Sequence, residues 1–221
     1  MAAKQKKPAL ETEEPNYSGP SAAVMQMMGV EPHEWDVLLV GDGSGTTWNN
    51  PCGWASVLID RNLGLRKTMI GAMNAGTSYL AELIPYVQAL SWYIEGPGKA
   101  RLLDLRMVNP TAKLKVHVIT DNQTLATQGQ GRMSRRKGFC YWRLIEAFEE
   151  EGYAVYWHWL GRSTIALNCL CDYLAGECRR GLTAIGPVEV PKPTTAYDYN
   201  SDEQKPETPV NGDAPAPGVA P

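Results

Sequence analysis

No stretch of the sequence approaches the ~20 consecutive apolar residues that a membrane-spanning helix requires, so a helical membrane protein is excluded and no membrane partner is expected. The opening residues, MAAKQKKPALETEEP, are polar and broken by proline, and nothing in them reads as a signal peptide. A soluble, cytoplasmic protein is the expectation. A disulfide framework is missing too: five cysteines, an odd number in a chain with no secretion signal, read as reduced thiols. Cys169, Cys171 and Cys178 with His158 carry zinc-ligand chemistry, but Cys169 and Cys171 stand two apart on a predicted helix and face different ways. Buried or half-buried thiols are the preferred reading. Positive charge is also scarce, the formal net charge being -3, which is unexpected for a nucleic-acid binder. The imbalance sits at the C-terminus, where Glu189, Asp198, Asp202, Glu203, Glu207 and Asp213 face only Lys192 and Lys205. The remainder is near neutral or slightly basic.

What is present suffices for one core: 221 residues with 43% apolar content fit a single domain. Residues 1–20 are charged, proline-containing and non-periodic, and residues 186–221 form an acidic, proline-rich stretch that cannot bury enough apolar surface to order itself. Both read as disordered tails, the acidic one open to a protein partner, around a domain at 21–185. Within it, Trp35 to Val40 (WDVLLV) is a short apolar run ended by GDGSG and reads as a buried central strand. Gly53 to Asp60 and Leu65 to Ala72, joined by an Arg61-Asn62-Leu63-Gly64 turn, extend it into an antiparallel meander. From Ser78, a plausible N-cap, apolar residues recur at helical spacing to Ile94, with Pro85 predicting a kink or an irregular first turn. A strand at Lys115 to Thr120, a short helix from Asn122, a basic loop at Arg132 to Lys137, a helix at Phe139 to Glu150, a strand at Tyr153 to Trp159 and a helix at Ala166 to Arg180 follow. This order of elements predicts an α/β fold, a mixed sheet flanked by helices.

Two apolar strands run into an acid, Val37–Val40 into Asp42 and Val116–Thr120 into Asp121, and two further acids, Glu82 and Asp172, sit near the starts of helices. Each has a plain reading alone: Asp42 as a turn residue, Asp121 as a helix cap, Glu82 and Asp172 as solvated helix surface. Four carboxylates converging from separate elements would repel one another unless divalent cations neutralised them. Oxygen-only ligands favour Mg²⁺ or Mn²⁺ over zinc, and a pair of such ions suits phosphodiester hydrolysis.

The chain resembles the type 1 ribonuclease H family over roughly residues 36–181, in Asp42-Gly43-Ser44 on the first strand, SYLAEL carrying Glu82, Ile119-Thr120-Asp121-Asn122-Gln123, and YWRLIEAF leading to YWHWLGR and NCLCDYLA with Asp172. The resemblance implies a ribonuclease H-like fold with a five-stranded mixed sheet. It also implies two Mg²⁺ ions, replaceable by Mn²⁺, held by Asp42, Glu82, Asp121 and Asp172 as catalytic and metal-binding residues. The activity it implies is cleavage of the RNA strand of an RNA/DNA hybrid.

Three departures stand out. Arg162 occupies the place of the family's histidine and cannot act as a base near neutral pH, though it can contact a phosphate; it is equally readable as a surface arginine. Where hybrid-gripping members carry an asparagine, this chain has Thr77-Ser78-Tyr79, and Ser78 reads either as a cap or as a hydroxyl for a base edge or 2′-OH. The stretch from Glu95 to Leu114 is longer than the family needs.

Substrate contacts are expected from Gly43, Ser44 and Asn50 near the first strand, with Trp48 and Asn49 beside them, from Ser78, from Arg135, Arg136 and Lys137 of the basic loop, and from Arg162. Trp142, Trp157 and Trp159 read as core. Two competing readings keep the fold: a DNA-directed nuclease of the resolvase, transposase or exonuclease type, and a nucleic-acid-binding or scaffold module without turnover.

Overall fold

The computed structural model describes residues 20, 22–31, 33–46, 50–162 and 164–181. The two tails, Pro20 excepted, lie outside the described residues, as do Trp48 and Asn49. In chain order the elements are α1 (Ala22–Met28), β1 (Val37–Ser44), β2 (Asn50–Asp60), β3 (Leu65–Gly76), α2 (Ser78–Glu95), α3 (Pro97–Val108), β4 (Leu114–Thr120), α4 (Gln123–Gly129), α5 (Phe139–Glu151), β5 (Tyr153–Trp159) and α6 (Ala166–Arg179). The strand and helix pattern predicts a mixed sheet, and the five strands form one, in the order β3-β2-β1-β4-β5. β1 pairs antiparallel with β2 and parallel with β4, and β4 pairs parallel with β5.

The apolar run of β1 is continuous because helices cover both faces of the sheet. Val37 and Leu39, with Val116 and Val118 of β4, pack against α2, α4 and α5. Leu38 and Val40, with Ile119, pack against α1 and α6. Residues 22–28, where the sequence pattern predicts no element, form a seven-residue helix that buries Val24, Met25 and Met28 in this second core.

The close approach of α2 to β1 depends on glycine. A Cβ on Gly43 would lie 2.2 Å from the backbone carbon of Ala81 and 2.4 Å from the nitrogen of Glu82, and one on Gly41 would lie 3.0 Å from the Tyr86 ring. No residue with a side chain fits at Gly43 without moving the helix that carries Glu82. The helix cap differs from expectation: Thr77, not Ser78, is the N-cap, its hydroxyl oxygen accepting from Leu80 N at 3.1 Å. Pro85 does not break α2, which runs through it; its ring is buried over the strand, where the missing side chain of Gly41 leaves room.

The long connection after α2 forms α3, which starts with Pro97 in its first turn. Its Arg101 reaches under the sheet, donating to the buried Asp60 (2.7 Å) and to Asp36 (3.2 Å), while Tyr93 Oη donates to Asp60 Oδ2 at 2.5 Å and Lys115 N to Asp36 Oδ2 at 2.9 Å. The segment between α2 and β4 thus closes the end of the sheet opposite the strand ends that carry Asp42 and Asp121.

Candidate active site

β1 and β4 are parallel neighbours whose printed pairing ends at Val40 and Ile119. Extending that register by two residues sets Asp42 beside Asp121, at the C-terminal ends of adjacent parallel strands, where α/β folds form crevices. The Tyr86 hydroxyl lies between the two strands, 2.5 Å from the carbonyl of Gly41 and 3.1 Å from that of Ile119, and fixes their spacing where the ladder stops. Asp121 does not cap the next helix. Asn122 does so, accepting from Leu125 N at 3.2 Å, which leaves the Asp121 carboxylate to face the crevice. Glu82, on the first turns of α2, completes the group: ligand oxygens of Asp42, Glu82 and Asp121 lie within 4.8 Å of one another.

The electrostatics of this trio are unfavourable as they stand. Asp42 is fully buried, and Oδ2 of Asp42 and Oε2 of Glu82 are buried without a hydrogen-bond partner. Burial, then the neighbouring carboxylates, raises both acids well above the ordinary carboxylate range; for Asp42 the neighbours are Asp121 and Asp172, for Glu82 they are Asp42 and Asp121. Only the Gly43 N–H, donating to Asp42 Oδ1 at 2.7 Å, opposes this directly at Asp42, with Arg162 acting from further off. Buried oxygens without donors, converging in an all-oxygen set, fit a hard divalent cation such as Mg²⁺ or Mn²⁺, which would give both orphaned atoms a partner. Among the described residues this trio is the one group of its kind.

Asp172 is brought to the same end of the sheet but stands outside the trio. It lies in the second turn of α6, which runs close over β2 because Gly53 has no side chain: a Cβ there would lie 2.0 Å from the carbonyl oxygen of Ala175. Arg162 joins the two parts of the site, its Nε donating to Asp121 Oδ2 at 2.9 Å and its Nη2 lying 3.9 Å from Asp172 Oδ1. Trp159, expected in the core, is 51% exposed and donates from Nε1 to the Asp121 carbonyl at 3.0 Å. It pairs with Thr120 at the end of an edge strand, beyond the cover of the helices. Trp142 and Trp157 are buried as expected.

The other candidate contacts are spread around this end. Gly43 and Ser44 end β1, opposite Trp54 and Gly53, and Asn50 begins β2, half-buried and paired with Gly76. Ser78 is exposed on the first turn of α2. The basic loop packs against that same turn, where Lys137 Nζ stands 4.7 Å over the Tyr79 ring and Tyr79 Oη donates to Gln128 Oε1 at 2.7 Å. Arg136 and Lys137 are exposed, whereas Arg135 turns inward over Trp142 (4.8 Å) and donates to the carbonyls of Gln128 and Gly129. The cysteines and His158 form no metal-ligand cluster among the described residues: Cys171 donates to the Val40 carbonyl, Cys169 to that of Arg162, and His158 bonds His117 at 2.9 Å.

A sheet of this order with an acidic trio at the ends of its parallel strands defines a ribonuclease H fold. No protein-family model matches the sequence, and the comparison with curated proteins gives no match. Solved structures do match. The N-terminal ribonuclease H domain of a Mycobacterium tuberculosis protein is 16% identical over 66% of this chain and 94% of its own, with a TM-score of 0.50. LC11 ribonuclease H1, from a compost metagenome and solved in complex with RNA/DNA hybrid, is 18% identical over 66% of this chain and 97% of its own, with a TM-score of 0.50. At such identities the likeness establishes the fold. No helix among the described residues is long and apolar enough to cross a membrane.

Proposed function

We propose that this chain is a divalent-metal-dependent endonuclease that hydrolyses the RNA strand of RNA/DNA hybrids, with Asp42, Glu82, Asp121 and Asp172 as its catalytic and metal-holding residues. The observation that carries the reading is the pair of buried, partnerless oxygens on Asp42 and Glu82 within the 4.8 Å trio. In a purely structural role, buried carboxyls held above their ordinary range, each with an oxygen that no donor reaches, would be a cost without a return; as cation ligands they are satisfied. Mg²⁺, or Mn²⁺ in its place, supplies when bound a strengthened water nucleophile on one side of the phosphodiester and stabilisation of the leaving oxygen on the other.

The protein's own residues do the rest. Gly43 admits the α2 backbone and so sets Glu82 against Asp42. Tyr86 holds the two strand ends at their spacing. Arg136 and Lys137, on a loop seated against the turn that precedes Glu82, offer exposed positive charge to a phosphate backbone one helical turn from the acids. Ser44, Asn50 and Ser78 offer polar groups along the same edge for a sugar or base contact. The hybrid as substrate is supported by the resemblance read from the sequence, and LC11 ribonuclease H1 was solved with that ligand.

Incubation of the full chain with labelled RNA/DNA hybrid, double-stranded RNA, duplex DNA and a four-way junction, with Mg²⁺ and with EDTA, tests this reading. Cleavage of hybrid that needs Mg²⁺ and disappears in Asp121→Asn is expected. Cleavage of DNA or the junction alone would transfer the assignment to a DNA-directed nuclease. A second reading, a nucleic-acid-binding module without turnover, is favoured by one observation, the occupation of Asp121 and Asp172 by Arg162; tight hybrid binding with no cleavage under any condition would select it.

A further inference from the structure

β3 ends the sheet on the side away from β4 and β5, and it carries little of what keeps an edge strand from pairing. Among the described residues no strand lies on its outer side, and its only backbone-to-backbone bonds are those with β2. Natural edges are blunted by charge, proline, shortness or a bulge. β3 runs 12 residues, Leu65–Gly76, without a proline. Its charges, Arg66 and Lys67, stand at its start, and nothing from Thr68 to Gly76 is ionisable. The one irregularity in its pairing falls after Met73, in the step from Cys52 opposite Met73 to Asn50 opposite Gly76. The other edge differs: β5 has 7 residues and ends at Trp159 against the Asp121 carbonyl, so a strand added there would crowd the acids.

The side chains along β3 leave an apolar margin on both faces. On the face toward α2, Met69 and Met73 are half-buried, and the half-buried Trp54 ring lies over Gly71, where a Cβ would come within 2.4 Å of it. On the face toward α6, Ile70 packs on the core beside the exposed Ala72.

We propose that β3 is a self-association edge, pairing antiparallel with β3 of a second copy about a two-fold axis through Gly71. A two-fold axis normal to the sheet keeps each face on its own side, so a residue meets only one whose side chain points the same way. Centred on Gly71, Met69 of one copy faces Met73 of the other, Ile70 faces Ala72, and the two Trp54 rings come side by side next to the axis. The charge-free run Thr68–Asn74 then pairs with itself, and the cations of each copy fall outside it, opposite uncharged residues. Centring on Met69 or Ile70 would draw Lys67 into the pairing. A second copy fits better than a foreign strand because both copies bring the same unpaired donors and acceptors, and one isologous contact completes both edges and closes. Antiparallel pairing joins the two sheets and turns the two acidic crevices to opposite ends of it.

Sedimentation velocity of the full chain in EDTA, over a range of concentrations, tests this. Wild type is expected to be a dimer at about 100 µM and to dissociate on dilution. Ala72 is exposed, and the two copies of it stand diagonally across the axis, so Ala72→Lys should weaken the dimer at least about ten-fold. Ala72→Glu should weaken it likewise, and an equimolar mixture of the two variants should associate more tightly than either alone. Met107→Lys, on the exposed apolar side of α3, should leave the dissociation constant within about two-fold. Hydrogen exchange at the amides of residues 69–73 should slow as the protein concentration rises. A wild-type monomer at about 100 µM would overturn the proposal. So would a dimer that neither Ala72 variant weakens, a dimer lost in Met107→Lys, or a ladder of larger species in place of a closed pair. Should Ala72→Lys fail to fold, Ala72→Glu and the exchange at residues 69–73 decide. The pairing needs neither metal nor nucleic acid, so a chain that dimerises as described and cleaves nothing would remove the nuclease reading alone.

Discussion

Replacing Asp42 by asparagine should make the metal-free protein more stable while removing its metal site. The ligand oxygens of Asp42, Glu82 and Asp121 lie within 4.8 Å of one another, and two unit charges at that separation repel by about 3.5 kcal/mol at an effective dielectric constant near 20. Part of this is already relieved by protonation, since burial and like charges raise the Asp42 and Glu82 carboxyls. Asparagine keeps the shape and the oxygen that accepts from Gly43 N, and its amide can donate to the orphaned Oε2 of Glu82. A net gain of about 2 kcal/mol follows, or a rise in Tm of roughly 4–8 °C for a domain of this size. The pH dependence has a definite sign. A carboxyl raised in the folded state favours folding at low pH, and that contribution is lost as the pH climbs from the ordinary carboxylate range through the raised one. The advantage of Asp42→Asn should therefore grow between pH 5 and pH 8 in EDTA, followed by circular dichroism. Addition of Mg²⁺ should reverse the order by stabilising wild type alone. A variant that melts at or below wild type in EDTA at pH 8 would show that the trio carries no net repulsion and refute the reasoning.

Four further substitutions separate scaffold from site. Arg135→Ala should cost about 2–3 kcal/mol in urea denaturation, since it removes the stack on Trp142, two bonds to carbonyls and the pair with Glu146, whereas Arg136→Ala should leave stability unchanged and weaken hybrid binding in a salt-dependent way. Gly43→Ala should destabilise the protein and lower Mn²⁺ affinity by more than ten-fold in titration, because the added Cβ meets the α2 backbone and drives Glu82 from Asp42. Arg101→Met should cost about 3–5 kcal/mol, measured by chemical denaturation, by leaving the buried Asp60 carboxylate without its cation, while activity per folded molecule is retained at the distant site.

The fold was largely legible because its strands carry continuous or alternating apolar runs, and Asp42 and Asp121 were legible because each ends such a run. Parallel pairing of β1 with β4 then turns two separate strand ends into neighbours. What sequence periodicity does not hold is the third dimension. The short helix at Ala22–Met28 spans two turns, too few for a periodic apolar pattern to show, and is held by the burial of Val24, Met25 and Met28. The role of residues 95–114 depended on Arg101 meeting Asp60, forty-one positions away in the chain. Trp159 continues an apolar strand pattern past the edge of the covered sheet, so its pattern says core while its position is a rim. Four cations in the basic loop looked alike in sequence, yet Trp142 draws Arg135 inward and leaves Arg136 outside. The plain readings of Ser78 and Asp121 as helix caps gave way to their neighbours Thr77 and Asn122, each through a single hydrogen bond.

Anomalous scattering from a crystal soaked in Mn²⁺ addresses the metal centre most directly. A strong peak within ligand distance, about 2.0–2.2 Å, of carboxylate oxygens of Asp42, Glu82 and Asp121 is expected, absent from Asp42→Asn. No peak at the trio, or one unchanged in Asp42→Asn, would contradict the assignment of these buried carboxylates to a metal centre.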